Sequence, residues 1–235
     1  MLERGTVKEL IDQSLSKGIF GEGFEFRAGQ REVIEAICNH YIEDPQGTII
    51  LDAPTGSGKS LIAMWSAHIL KELGKRGYLV TSDLMLQDQY EEDFKRLKLN
   101  WPSIRGVDNY NCNVNDLPFS LADCKMKGIG YEAAEKLKCW GTCGYLQGRR
   151  RAKELPVALF NYSYYLIQRN YVEDKMQEQD REVPFPIRDF VFFDEAHKVD
   201  SIVQSHFSPR IDMGTPKLFK EVNKFIQKHG LQTSW

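Results

Sequence analysis

The stretch GTIILDAPTGSGKS, residues 47–60, indicates an α/β fold because it joins an apolar, β-branched run to a glycine-rich turn. The first part, GTIILDA, predicts a buried strand, and residues 59–73 predict a helix directly after the turn. A turn of this kind can point consecutive backbone N–H groups at an anion near the positive end of the helix dipole. The stretch therefore predicts a site for a polyphosphate.

The turn follows the P-loop pattern G-x-x-x-x-G-K-[ST], with Ala53 in place of the first glycine. In that pattern Lys59 reaches the β- and γ-phosphates of ATP, and the hydroxyl of Ser60 ligates Mg²⁺. The rest of the predicted cradle consists of Pro54, Thr55, Gly56, Ser57 and Gly58. The alternative is a surface turn that merely contains GSGK, but the flanking strand and helix favour a phosphate site.

A second motif, FVFFDEAH at residues 190–197, is an apolar run that ends in two carboxylates. Asp194 is predicted to hold Mg²⁺, through a water molecule, and Glu195 to position and polarise the water that attacks the nucleotide. His197 could relay between the nucleotide and another domain. The alternative is a helix start with acidic residues placed for its dipole, and the presence of Lys59 elsewhere in the chain favours the catalytic interpretation.

The alternation of apolar runs and helical periods predicts an α/β fold, with a parallel sheet and helices on both of its faces. Helices are expected at residues 6–15, 28–42, 59–73 and 84–97. Strands are expected at residues 47–53, 77–82, 156–161 and 189–196, with a weaker one at 103–107. Cys38 falls on the apolar face of the second helix and is expected to be a core thiol.

Composition narrows the class of protein. The chain has 235 residues, 42% of them hydrophobic, which is enough for one sizeable core with a small appended module. The net charge of −2 gives no general attraction to nucleic acid. The N-terminus is charged and no apolar run reaches the length that spans a bilayer, so we expect a cytoplasmic protein (nuclear in a eukaryote) without a membrane partner.

Four of the five cysteines lie in one block, at Cys112, Cys124, Cys139 and Cys143. Without an export signal, metal binding, catalysis or core packing is more plausible for them than disulfides. Zinc ribbons usually present two tight cysteine pairs, whereas this block has one, and an iron–sulfur cluster tolerates wider separations. Because most of these cysteines sit among polar or small residues, we expect a metal or cluster site, with zinc as the less favoured occupant and scattered core thiols as the alternative.

The same block is basic, with eight Lys or Arg against four Asp or Glu between residues 112 and 153. Aromatic residues are interleaved with these charges: Tyr110, Tyr131, Trp140 and Tyr145. Basic groups that follow a phosphate backbone, with rings on which bases can stack, are typical of single-strand binding. The alternative is a solvated basic face whose aromatics pack inward.

Taken together, these residues resemble the iron–sulfur superfamily-two DNA helicases of the XPD and DinG type. The resemblance is carried by R-x-x-Q at Arg27 and Gln30, APTGSGKS at 53–60, NYNC at 109–112 and DEAH at 194–197. It implies a RecA-like P-loop domain, residues 1–110 and 155–207, interrupted at 111–154 by a small, mostly helical insertion whose four cysteines bind a [4Fe–4S] cluster. Residues 208–235 would begin an arch-like insertion, with an amphipathic helix at 217–230.

The resemblance also implies a function, that of an ATP-dependent helicase moving 5′ to 3′ on single-stranded DNA and opening forked duplexes. Gln30, beside Arg27, would help to read the adenine, and residues 81–89 would contact the DNA backbone. A second RecA-like domain, in the rest of the chain or in another chain, would complete the ATP hydrolase, so this half alone is expected to bind ATP but hydrolyse it poorly. Two alternatives remain: a nucleotide- and nucleic-acid-binding regulatory module without unwinding activity, and a zinc-bearing P-loop protein of unrelated purpose.

Overall fold

A computed structural model of the chain describes residues 5–127, 129, 133, 136–169, 185–207 and 228. The chain divides into two compact units, Met1–Val199 and Asp200–Trp235. The first unit contains both predicted motifs and the cysteine block. The predicted domain boundaries at residues 110, 154 and 207 remain predictions.

A parallel sheet of three strands forms in the described part of the first unit. It consists of β1 (Gly77–Thr81), β2 (Val157–Asn161) and β3 (Phe190–Phe193), in the order β2-β1-β3. Gly77 lies opposite Val157 on one side and Phe190 on the other. Every residue of β1 and β2 is buried, which explains why their sequences are continuous apolar runs rather than alternating ones. The predicted α/β class and parallel pairing are confirmed.

Helices and short 3₁₀ turns connect and cover these strands. In chain order the helices are α1 (Gly5–Ser16), α2 (Gln30–Glu43), α3 (Lys59–Glu72), α4 (Leu84–Arg96), α5 (Asp123–Met126), α6 (Gly144–Glu154), α7 (Tyr162–Ile167) and α8 (Val199–Phe207). The 3₁₀ turns are Val107–Asn109, Phe119–Leu121 and Ala196–Lys198. The four helices expected before residue 100 are confirmed. Among the described residues, no helix is both long enough and apolar enough to cross a bilayer.

Helices α1, α2 and α3 pack around Trp65, which is completely buried. Phe20 stacks on the indole at 4.1 Å between ring centroids, and Phe24 and Phe26 lie at 5.6 and 5.0 Å. The phenylalanine-rich loop after α1 thus belongs to the core. Cys38 is fully buried as well, and that burial raises the pKa of its thiol to about 12, which confirms a core thiol that stays protonated.

The strand expected at residues 47–53 is wrong. No strand is assigned there, and Ile49 and Ile50 are 43% and 89% exposed. A strand needs a neighbour that accepts its ladder hydrogen bonds, and none of the described residues pairs with this segment. The weaker strand expected at 103–107 is reduced to a single bridge between Ser103 and Leu159. The helix expected at 217–230 lies outside the described residues, apart from Lys228.

Candidate functional site

The glycine-rich turn has the backbone shape that an anion cradle requires. Gly56 and Gly58 adopt φ angles of 81° and 84°, in the left-handed region that favours glycine. Helix α3 begins directly after Gly58, and its first backbone bond runs from the N–H of Ile62 to the carbonyl of Gly58. The N–H groups of the first turn have no intrahelical partner, so they are available to a negatively charged ligand.

Arg27 and Gln30 brace this turn from the side. The guanidinium of Arg27 donates to the carbonyl of Gly56 at 2.7 Å, and the amide nitrogen of Gln30 donates to the carbonyl of Ser57 at 2.9 Å. The Gln30 side-chain oxygen accepts the backbone N–H of Arg27 at 2.9 Å, and Gln30 is only 4% exposed. The structure thus brings both predicted residues to the turn. Adenine reading by Gln30 remains a prediction, because the partners observed for its amide are backbone groups.

Two side chains of the turn have a donor or acceptor that a phosphate could engage. The ammonium of Lys59 donates to the carbonyls of Ala53 and Pro54, at 2.9 and 3.4 Å. The hydroxyl oxygen of Ser57 is buried without a hydrogen-bond partner, while Thr55 at the tip of the turn is exposed. A buried hydroxyl without a partner is costly, so a ligand oxygen in the turn would stabilise it.

The end of β3 meets the start of α3 at Asp194. Its Oδ2 accepts hydrogen bonds from the hydroxyls of Ser60, at 2.9 Å, and Tyr90, at 2.8 Å. Its Oδ1 accepts the backbone N–H of Glu195 at 3.0 Å. Its own N–H donates to the carbonyl of Val80 at 2.9 Å, which extends the β1–β3 pairing by one bond. A carboxylate held in this way stands beside the phosphate turn with its orientation fixed.

Two tyrosines that contact Asp194 were missed by the sequence interpretation. Tyr90, from α4, contacts the carboxylate, and Tyr162 donates to the backbone carbonyl of Asp194 at 3.2 Å. Burial, together with the negative charge of Asp194, raises the pKa of both phenols, so both remain hydrogen-bond donors at neutral pH. The available signal was weak: Tyr90 lies with Gln87 and Phe94 on the buried face of its helix, where a phenol needs a polar partner.

Glu195 is held in an unusual backbone conformation. Its φ and ψ of 57° and 44° lie in the left-handed region, which costs a residue with a side chain about 1–2 kcal/mol. Its carboxylate lies 3.3 Å from Nδ1 of His197, whose side chain is 72% exposed. Such outliers cluster at functional sites, and here one follows the predicted metal-holding residue. The relay predicted for His197 remains a prediction.

The cysteine block is built from a hairpin and a turn that are bonded to each other. In the hairpin, the N–H of Cys112 donates to the carbonyl of Leu117 at 2.7 Å. In the turn, the N–H of Cys143 donates to the carbonyl of Cys139 at 2.9 Å, immediately before α6. The side-chain amide of Asn113 donates to the carbonyl of Thr142 and so links the two pieces.

All four cysteines of the block are free thiols. Burial raises the pKa of Cys124 and of Cys143, and neighbouring cysteines add to the effect: Cys112 and Cys139 act on Cys124, and Cys139 and Cys124 act on Cys143. Such influence requires only proximity, whereas a metal requires ligands directed at one centre. Within the part of the chain that the structure describes, no three His, Cys, Asp or Glu side chains are arranged to hold a metal, so the predicted [4Fe–4S] or zinc site is not supported.

The aromatics of the block that were predicted to stack on bases are in part packed inward. Tyr110 and Tyr145 meet edge to face at 5.4 Å, and Phe119 packs on Tyr145 at 4.7 Å. Tyr145 is 8% exposed. For these two tyrosines the alternative of inward packing is the observed one, while Tyr131 lies outside the described residues.

Comparison with protein families gives a match that covers most of the chain. A family profile described as type III restriction enzyme, res subunit, matches residues 23–228, which include Arg27, the glycine-rich turn and the DEAH segment. Comparison with curated proteins gives no match. The matched family has a helicase-like RecA fold of superfamily two.

Proposed function

The chain belongs to the type III restriction enzyme, res subunit, family, and from that premise we propose that it is the ATP-binding half of a DNA helicase motor. A helicase-like nucleotide-binding domain is what the family provides. The observation that carries the proposal is the contact between Ser60 and Asp194, at 2.9 Å, beside the lysine of the phosphate turn. It joins the two motifs that a nucleotide–magnesium site needs.

The residues at the turn fit ATP and its metal ion. In our proposal Lys59 exchanges its bonds to neutral loop carbonyls for the β- and γ-phosphates, which bind an ammonium more strongly. Ser60 and Asp194 offer hydroxyl and carboxylate oxygens, the ligand type that Mg²⁺ prefers. Held by these two residues, Mg²⁺ would supply positive charge against the charge that develops on the phosphate oxygens. The unpartnered hydroxyl of Ser57 gives the turn one further donor for a phosphate oxygen.

Glu195 is the proposed general base. A water molecule held by its carboxylate attacks the γ-phosphorus, the bond to the β-phosphate oxygen breaks, and the proton of the water passes to Glu195. The left-handed backbone at this residue supports the assignment, because backbone outliers of this kind cluster at active sites.

The remaining parts of the motor are proposals that follow from the XPD and DinG resemblance. They are a second RecA-like domain, in the rest of the protein or in another chain, that supplies an arginine to the transferring phosphoryl group, and single-stranded or forked DNA as the partner. Residues 81–89 would contact the DNA backbone, with translocation 5′ to 3′. Leu84 and Met85 are 40% and 72% exposed at the start of α4, so this surface is accessible to a ligand.

The decisive test is nucleotide binding by a Lys59→Ala variant. Loss of a charge-assisted contact with phosphate is expected to weaken binding of a fluorescent ATP analogue about 30-fold or more. Lys71→Ala is the matched control, because Lys71 lies at the other end of the same helix and pairs with Glu72 at 2.6 Å. Equal affinity of the Lys59 variant and the wild type would refute the phosphate site.

DNA-dependent ATP hydrolysis separates the motor from a regulatory module. In a protein that contains both RecA-like domains, we expect single-stranded DNA to stimulate phosphate release and Glu195→Gln to abolish it while nucleotide binding persists. Nucleotide binding without any DNA-stimulated hydrolysis would favour the regulatory alternative.

For the cysteine block we retain the proposal of a thiolate-bound metal site, formed by Cys112, Cys124, Cys139 and Cys143. It is supported by the bond from Asn113 to Thr142, which joins the hairpin of Cys112 to the turn that carries Cys139 and Cys143. Anaerobically purified protein is expected to contain iron and acid-labile sulfide, and Cys139→Ser is expected to lose both while Cys38→Ala retains them. Zinc without sulfide would replace the cluster by a zinc site, and the absence of any metal would end the proposal.

A further inference from the structure

Tyr90 donates a hydrogen bond to Oδ2 of Asp194 at 2.8 Å, from a helix that belongs to neither nucleotide motif. The side chain is almost completely enclosed, with 3% of the residue exposed. The contact with Asp194 is an interaction that the two motifs alone would not provide.

Helix α4 holds Tyr90 in place through a buried polar network. The side-chain amide of Gln87, which is 0% exposed, donates to the hydroxyl of Ser103 at 2.7 Å and to the carbonyl of Ile104 at 3.0 Å. Its oxygen accepts the side-chain N–H of Asn161, at the end of β2, at 3.1 Å. One turn of helix separates Gln87 from Tyr90, so this network fixes the helix at the point from which the phenol reaches Asp194.

A second set of contacts holds the start and the middle of the same helix. The ammonium of Lys198, in the turn after DEAH, donates to the hydroxyl of Ser82 at 3.2 Å and to Asp83 at 3.5 Å. The guanidinium of Arg105 binds Asp88 and Glu91, both on α4. The helix is thus joined to the DEAH segment through Lys198, at the two residues that precede α4, and again through Tyr90.

The two hydroxyls on Oδ2 differ in what they can do when a nucleotide is bound. Ser60 lies at the start of α3, where its oxygen is the proposed metal ligand, so its position changes with the occupant of the site. Tyr90 is enclosed in the protein and reaches Oδ2 from α4, which is not part of the phosphate turn. Its bond to the carboxylate can therefore persist in both states.

We infer that Tyr90 is a positioning residue for the metal ion of the nucleotide, because its hydroxyl orients the carboxylate of Asp194, the residue that would hold that ion. The inference rests on the proposed nucleotide site. In this inference Tyr90 acts through Asp194 and not by direct contact with the nucleotide or the metal. Without the hydroxyl, the carboxylate retains Ser60 on Oδ2 and the N–H of Glu195 on Oδ1, and its orientation is held less firmly.

The test compares nucleotide binding by Tyr90→Phe with and without Mg²⁺. The concentration of Mg²⁺ that gives half-maximal tightening of a fluorescent ATP analogue is expected to rise about tenfold, the effect of losing one hydrogen bond to a charged group. Affinity for the same analogue in EDTA is expected to stay within about twofold of the wild type, because the phosphate turn is untouched.

Tyr162→Phe is the matched control. It removes the same atom from a phenol that contacts the same residue, but its hydroxyl bonds to the backbone carbonyl of Asp194 at 3.2 Å rather than to the carboxylate. Its Mg²⁺ dependence is expected to equal that of the wild type. A Tyr90 variant with unchanged Mg²⁺ dependence, or with equal losses in Mg²⁺ and in EDTA, would overturn the inference, since the phenol would then be a packing group.

Unfolding of a variant and failure of the wild type to bind nucleotide are two further outcomes of the test. Melting curves check that both variants fold, as the ring of Tyr90 that packs 6.0 Å from Phe94 is retained. Unfolding of Tyr90→Phe alone would overturn the inference, because the hydroxyl would then serve folding. If the wild type itself fails to bind the ATP analogue, the proposed function fails. If the wild type binds it and Tyr90→Phe behaves identically, only the inference about Tyr90 fails.

Discussion

Gly58 is the residue at which the backbone of the phosphate turn depends most on the absence of a side chain. Its φ is +84°, and a Cβ added there would lie 2.5 Å from the amide nitrogen of Gln30. That nitrogen is the donor to the carbonyl of Ser57. Gly56 has a φ of +81° as well, but an added Cβ would meet nothing within 4 Å. Comparing alanine at these two positions therefore separates the effect of backbone strain from the effect of a steric clash.

Gly58→Ala is expected to destabilise the protein more than Gly56→Ala. Each alanine costs about 1 kcal/mol through the left-handed backbone. At position 58 the amide of Gln30 must also move and lose its bond to the loop, which adds about 1–3 kcal/mol because the group is buried. Urea denaturation measures the difference in the free energy of unfolding. Equal destabilisation of the two variants would mean that Gln30 does not brace the turn.

At the scale of elements, apolar runs predicted β1, β2 and β3 because each of these strands has a partner in the sheet. The run at residues 47–53 is equally β-branched but forms no strand, and Ile50 is 89% exposed. A run indicates where a strand can form, whereas pairing depends on residues distant in the sequence. The local pattern alone therefore predicted the three strands correctly, but it also predicted a strand at residues 47–53 that does not form.

The candidate site was predictable to the same extent. A glycine-rich turn and carboxylates at a strand end are local signals, and the first turn of α3 lies at the carboxyl end of β3, where Ser60 contacts Asp194. The contact of Tyr90 with Asp194 spans 104 residues and leaves no local signal. Cysteine spacing likewise suggested a metal site, but spacing does not fix the direction in which four thiols point.

Helix α6 illustrates a link between elements that sequence patterns do not reveal. Arg188, 9% exposed, donates to the carbonyls of Ala152 and Lys153 at the end of that helix, and to Gly77 and Pro156 near the starts of β1 and β2. Its guanidinium also lies over the ring of Tyr78, 4.4 Å from the centroid. One arginine thus fastens the helix that leaves the cysteine block to the sheet, because its five N–H donors can serve several carbonyls at once.

At the scale of the whole molecule, the stability of the first unit is tied to one buried histidine. His68, on α3 and 3% exposed, bonds through Nε2 to the hydroxyl of Ser14 on α1 at 2.9 Å. Its ring meets those of Phe20 and Trp65 edge to face, at 5.8 and 6.1 Å. Burial, reinforced by the charges of Lys71 and Lys17 and opposed by Glu72, lowers the pKa of His68 from 6.5 to about 4. The folded protein therefore holds this ring neutral.

A neutral buried histidine makes the stability of the fold depend on pH. Between pH 6.5 and about 4 the unfolded chain binds a proton at His68 that the folded chain does not. The contribution is complete above pH 6.5 and is lost as the pH falls, by about 2 kcal/mol at pH 5. Between pH 7.5 and pH 5, His68→Gln is expected to lose about 2 kcal/mol less free energy of unfolding than the wild type, as measured by urea denaturation. His197→Gln, at an exposed histidine, is expected to lose as much as the wild type. If the wild type and His68→Gln lost equal stability on acidification, the ring would have to be protonated in the folded core, which its apolar neighbours and the nearby lysines oppose.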